Sequence, residues 1–171
     1  MGLFSKKTPE QKAAKRESAA VFLGESNQAI GKIPAGKVVG LTLKPEEQVL
    51  NIHHDKTDIT LPYSRIKGFK LEDEITLAKS GSGLGGAIVG GALFGGAGAI
   101  VGQNIKKGQT NIKWVGTLSY EDKDGNAQTL SFIQWGLTGY YENVNKHFGA
   151  AQFETVLNEI ATRGAENITE L

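Results

Sequence analysis

Val49-Leu50-Asn51-Ile52-His53-His54-Asp55-Lys56-Thr57-Asp58-Ile59-Thr60-Leu61-Pro62-Tyr63-Ser64-Arg65-Ile66-Lys67-Gly68-Phe69-Lys70-Leu71 holds three short runs of β-forming residues. Val49–His53 and Ile59–Tyr63 are rich in the β-formers Val, Leu, Ile, Thr and Tyr, and His54-Asp55-Lys56 is the polar break between them. Ile66–Leu71 then mixes apolar Ile66, Phe69 and Leu71 with Lys67 and Lys70, the habit of a strand with one face in water. Runs this short, at this spacing, are the grammar of a sheet. Working upstream, Val38–Leu43 is one more such run, set off by Lys44-Pro45-Glu46-Glu47. Downstream, Ile75 and Leu77 continue the alternation as far as Lys79.

Beyond residue 108 the strand pattern resumes. Ile112–Tyr120 places Ile112, Trp114, Leu118 and Tyr120 on one face, and Asp122-Lys123-Asp124-Gly125-Asn126 is a hairpin turn leading into Gln128–Trp135. Phe153, Val156, Leu157, Ile160 and Ala161 follow the three-four spacing of an amphipathic helix, which Arg163 and Gly164 are expected to close. Tyr140–Phe148 reads as a further helical turn, and Ala165–Leu171 as a frayed tail. At the other end, Thr8-Pro9-Glu10-Gln11 combines a capping hydroxyl, a first-turn proline and a glutamine three residues on. The helix it starts is expected to run to about Leu23. Lys6, Lys7, Lys12, Lys15 and Arg16 outweigh Glu10 and Glu17 there. Its plain reading is a solvated arm; its functional reading is a set of contacts to an anionic surface.

The passage Ile59-Thr60-Leu61-Pro62-Tyr63-Ser64-Arg65-Ile66, in which a strand leads through proline into an isoleucine-centred strand, is one of three features with a known likeness. Leu118-Ser119-Tyr120 with its Asp-Gly hairpin is the second, and the Phe153–Ile160 helix the third. Together, over about Ala20–Arg163, they resemble bacterial pleckstrin-homology-like (GRAM-like) domains, especially those with a glycine-zipper insertion. The resemblance implies a bacterial or phage setting and an α+β, mainly β fold. That fold is a bent, partly open β-barrel with a C-terminal packing helix, here with an N-terminal basic helix and a glycine-rich hairpin insertion. Such domains are binding modules. The expected organisation is a basic arm over 1–23, a first part of the domain over 24–79, the insertion over 80–108, a second part over 109–164 and a tail over 165–171.

The chemistry that can be excluded is broad. Lys and Arg total 19 against 18 Asp and Glu, which argues against a dedicated nucleic-acid binder. The absence of cysteine removes disulfides, thiolate metal sites and a cysteine nucleophile. Beyond Met1 itself, Met1–Lys7 has only Leu3 and Phe4 as apolar residues before its lysines, so no secretory segment is expected and the chain reads as cytoplasmic, at most peripheral or re-entrant at the inner face of a membrane. Gly81-Ser82-Gly83-Leu84-Gly85-Gly86 matches a dinucleotide fingerprint in form alone: Gln103 and Asn104 stand where the ribose-binding acid belongs. No Gly-Lys-Ser or Gly-Lys-Thr phosphate loop occurs. His53 and His54 are consecutive strand residues that point to opposite faces, and nothing ties His147 to them. Ser64, Ser119 and Ser131 lack a nucleophile elbow, and Glu72-Asp73-Glu74 is a charged strand end. Trp114, Trp135, Tyr140 and Tyr141 fit core or interface packing better than ligand stacking. The expectation is a protein with no catalytic residues, no cofactor and no metal.

What remains is the uncharged run from Ser80 to Ile105, with ten of the chain's 23 glycines. Gly-Ala-Ile-Val-Gly occurs at Gly86–Gly90 and again at Gly98–Gly102, with Gly-Ala-Leu-Phe-Gly at Gly91–Gly95 between them. Glycines four apart stack on one helical face and let two backbones approach closely, as in a glycine zipper. The candidate association residues are Gly86, Ile88, Val89, Gly90, Gly91, Leu93, Phe94, Gly95, Gly98, Ile100, Val101 and Gly102. One spanning helix would put the two halves of the β-domain on opposite sides of a bilayer, so a hairpin is required. Helical arms of about 12 residues reach ~18 Å, short of a ~30 Å core. A β-hairpin reaches further, at ~3.3 Å per residue, but needs oligomeric closure. The run is therefore a re-entrant or interfacial anchor in lipid, a packing element between copies of the chain, or a flexible loop. Its paired β-branched and aromatic residues count against the last. The expected partners are the chain itself, membrane lipid or another protein. The alternative to membrane association is a soluble homo-oligomeric or protein-binding module whose hairpin packs on protein.

Overall fold

The computed structural model describes residues 6–73, 114–136, 139–140 and 148–169. Helix α1 (Pro9–Ala19) is followed by strands β1 (Val21–Ser26), β2 (Val38–Lys44), β3 (Val49–His54) and β4 (Thr57–Pro62). A single 3-10 turn, Tyr63–Arg65, leads to β5 (Ile66–Asp73). Strands β6 (Trp114–Glu121), β7 (Ala127–Gly136) and β8 (Gly139–Tyr140) and helix α2 (Phe148–Thr169) complete the chain. The expected glycine-run residues 86–102 lie outside the described residues, as do Ile75, Leu77, Ile112, Tyr141 and His147.

The sheet is antiparallel throughout, in the order β4-β3-β2-β1-β7-β6-β5, with the two-residue β8 beside β7. Its two edge strands, β4 and β5, are consecutive in the chain. Seven strands laid flat would separate those edges by about 29 Å at ~4.8 Å per strand. The link from Pro62 to Ile66 reaches at most about 14 Å. The sheet must therefore curl until its edges approach, giving a partly open barrel, mainly β, with the gap between β4 and β5.

Helix α2 packs along the β5 side of that gap. Phe69 donates its N–H to Asn158 Oδ1 (2.8 Å) and accepts from Asn158 Nδ2 at its carbonyl (2.8 Å). The Leu71 N–H donates to Glu154 Oε2. Two helical side chains thus satisfy edge groups that a neighbouring strand would otherwise meet. The apolar face of α2 (Ala150, Phe153, Val156, Leu157, Ile160) enters the barrel, which is filled by Phe22, Val39, Leu41, Leu43, Leu50, Ile52, Leu61, Ile66, Phe69, Leu71, Leu118, Leu130 and Phe132. Phe22, Phe69 and Phe153 meet with ring centroids 5.1–5.8 Å apart. Gly116 makes this close packing feasible, since a Cβ there would lie 2.5 Å from Phe69 Cζ and 3.1 Å from Phe22 Cζ.

Four sequence expectations shift. The first helix ends at Ala19, four residues before Leu23, because Ala20 is already extended (φ −80°, ψ 115°) and Val21–Ser26 is a strand. The alternation on β5 slips by one residue: Ile66 pairs with Tyr120 and Gly68 with Ser119, so a bulge at Lys67 lets Ile66 and Phe69, three apart, both face the core. Helix α2 continues through Gly164 to Thr169, since Gly164 does not adopt the left-handed conformation that would stop it. The Tyr140 region, expected to be helical, begins with β8. The Asp122–Asn126 turn forms as expected, with Gly125 at φ 82° and Asp122 Oδ1 accepting from the N–H groups of Asp124 and Asn126.

Candidate functional site

From Gly68 onward the ladder between β5 and β6 is regular as far as Asp73 opposite Trp114, its last pair among the described residues. Asp73 and Trp114, which flank residues 74–113 in the chain, are therefore neighbours across one ladder. The glycine run falls between them in the sequence. Its own residues, including every glycine of the candidate association set, lie outside the described residues.

Of the basic set, Lys6, Lys7, Lys12, Lys15 and Arg16 are all exposed. Lys6 and Lys7 precede α1, which presents Lys12, Lys15 and Arg16 and opens on a complete capping box: Gln11 N–H donates to Thr8 Oγ1 (3.2 Å), and Thr8 N–H to Gln11 Oε1 (3.1 Å). Among the described residues no ion pair engages the four lysines. Arg16 differs, because its Nη1 lies 2.7 Å from Glu159 Oε2 on α2. The helix is not a bare solvated arm. Its one buried residue is Glu17, whose Oε1 is 2.6 Å from Arg163 Nη2 and whose Oε2 accepts from the Tyr63 hydroxyl at 3.3 Å. Burial, and next the Glu17 charge, push the Tyr63 phenol well above its ordinary value, so it remains a neutral donor. The helices α1 and α2 border a groove of about 640 Å³ lined in part by Ala13, Arg16, Val156 and Arg163. This α1–α2–Tyr63 junction could not be found from sequence: Glu17 reads there as one more charge on a polar helix.

Elsewhere the two adjacent histidines are explained locally. His53 Nδ1 is 2.9 Å from Asp58 Oδ1, to which Asn51 Nδ2 also donates at 2.9 Å. The Asn51 bond, then the His53 bond, lower the Asp58 pKa. His54 instead places Nδ1 2.9 Å from the Val38 carbonyl and Nε2 3.4 Å from Asp55 Oδ2. The two histidines therefore serve different partners, and no group of three or more His, Cys, Asp or Glu that could hold a metal occurs among the described residues. Gln134, 2% exposed and on the same β7 face as Phe132, has no hydrogen-bond partner for either amide atom among the described residues. No described helix is long and apolar enough to cross a membrane. No protein-family model and no curated protein matches this chain.

Proposed function

We propose that this chain is a non-enzymatic, pleckstrin-homology-like binding module that associates with a membrane and with itself through a glycine-zipper hairpin. The observation that carries the reading is the pairing of Asp73 with Trp114. A segment that departs and returns across one ladder can be a hairpin projecting from a domain that is complete without it. The curled seven-strand sheet closed by a C-terminal helix is the architecture that the sequence resemblance implies. The exposed lysines on α1 and just before it add attraction to anionic lipid. On this reading the protein is cytoplasm-facing and holds to the inner face of a membrane.

Fractionation of the native protein, with its mass measured by light scattering in buffer and in detergent, tests this. Membrane recovery and a defined oligomer are expected. Gly90→Leu with Gly98→Leu makes the run more apolar yet blocks backbone approach, so the variant should keep membrane affinity and lose the defined oligomer. A monodisperse monomer recovered entirely in buffer overturns the proposal. An oligomer that is stable in buffer and never sediments with membrane replaces it with the soluble, protein-packed alternative.

A further inference from the structure

The contacts that hold α1 to the barrel are inverted relative to an ordinary packed helix. An amphipathic helix normally docks through apolar residues, yet the one buried residue of α1 is a carboxylate. The Glu17 side chain is 8% exposed, while that of its partner Arg163 is 56% exposed. The second tie, Arg16 to Glu159, is half in water on both sides, at 48% and 50%. Beside its contact with β2, α1 is thus tied down by one buried anion whose cationic partner is open to competing anions. Release would return Glu17 to water, and an isolated helix of 11 residues is marginal by itself.

We propose that α1 is a strap latched by Glu17 to Arg163 and Tyr63, and that a phosphate-bearing anionic surface opens the latch. Such a surface acts on both halves at once. Its phosphates compete with Glu17 for Arg163 and with Glu159 for Arg16, while its field draws Lys6, Lys7, Lys12 and Lys15 outward and repels the carboxylates. Free phosphate offers only the first effect, so the strap responds to a surface and not to the dissolved ion. The inference rests on the membrane reading proposed above for its trigger, but the latch itself can be examined without lipid.

The chain contains no cysteine, so a pair of spin labels at Glu10→Cys and Lys56→Cys is unique, and both positions are exposed. The distance between them, measured by electron–electron resonance on the full chain, should be single and narrow in buffer. It should broaden on phosphatidylglycerol vesicles, but not with phosphatidylcholine vesicles or with inorganic phosphate at matched ionic strength. Glu17→Gln should broaden it in buffer alone. If that variant does not fold, Arg163→Gln replaces it, because the Arg163 head is more than half in water. A narrow distance in a folded latch variant shows that Glu17 does not hold the strap. A narrow distance on phosphatidylglycerol vesicles with which the protein cosediments overturns the opening step and leaves the membrane reading intact. Failure to cosediment removes the membrane trigger, whatever the latch variants do. Broadening by inorganic phosphate overturns the requirement for a surface.

Discussion

Asn158 is the sharpest place to test how the barrel gap is closed. Its side-chain amide imitates a peptide group, accepting the Phe69 N–H and donating to the Phe69 carbonyl, each at 2.8 Å. Asn158→Ala deletes both bonds while leaving the helix intact and the apolar face of α2 untouched. A net hydrogen bond is worth ~0.5–1.5 kcal/mol, and a stranded donor costs more where water cannot reach it. Both bonds are part-buried and Asn158 itself is exposed, so water replaces some of what is lost. The expected cost is about 1–2 kcal/mol, read as a lower urea midpoint with an unchanged slope. At ~2–4 °C per kcal/mol for a domain of this size, the thermal midpoint should fall by several degrees. Asn158→Asp is the informative control. It keeps an acceptor for the Phe69 N–H but turns a second oxygen toward the Phe69 carbonyl, so it should cost at least as much as alanine near neutral pH and less in acid, once protonated. A midpoint unchanged in Asn158→Ala would mean that water, not the helix, satisfies this edge, and the account of α2 as the cover of β5 would be wrong.

Two further outcomes can be checked with the same melts. Gly116→Val places a Cβ within 2.5 Å of Phe69 Cζ and should cost about 1–3 kcal/mol through overpacking; an unchanged midpoint would show that the phenylalanine cluster re-forms without strain. Stability should also fall as pH rises past 10.0, the ordinary phenol value, because the unfolded chain releases a Tyr63 proton that the folded chain retains. Tyr120, raised by burial and then by Asp122, acts in the same sense, so Tyr63→Phe should shallow the alkaline limb without flattening it; an identical limb in the variant would show that the Tyr63 phenol titrates normally.

The strands with visible alternation and the elements with local chemistry were legible in the sequence. The capping box at Thr8 and Gln11 and the Asp122 turn depend on residues within five positions of each other, and both form as read. Strand β1 was not legible because its inward positions are Phe22, Gly24 and Ser26, so the period-two pattern carries only one large apolar residue. Gly24 is small for a reason that appears only in three dimensions: a Cβ there would lie 2.6 Å from Phe22 Cε1 and 2.8 Å from Phe132 Cβ. The bulge at Lys67 had a trace in the three-residue gap from Ile66 to Phe69, but a register belongs to two strands and one strand cannot announce it. The α1 junction lacked even a trace. Glu17 and Arg163 are separated by 146 positions, and neither residue differs locally from its charged neighbours.

The same separation explains why the latch can be sensitive without making the domain fragile. Breaking a buried ion pair by deleting one partner costs ~3–5 kcal/mol, because a charge is left stranded in the interior. Undocking α1 strands no charge: Glu17 and Arg16 leave together with the helix, Arg163 and Glu159 stay on α2 already half in water, and the group left behind to find a new acceptor is the neutral Tyr63 hydroxyl. The cost of release is then the lost pairing and the melting or relocation of one short helix, well below the deletion figure. Against it, each basic residue near an anionic leaflet gains about 1 kcal/mol, and four lysines beside Arg16 have no ion pair to give up among the described residues. Opposing terms of similar size are what a reversible strap requires. The barrel beneath is held by a separate apolar core, to which α1 itself contributes no side chain, so the strap can open while the sheet and α2 remain folded.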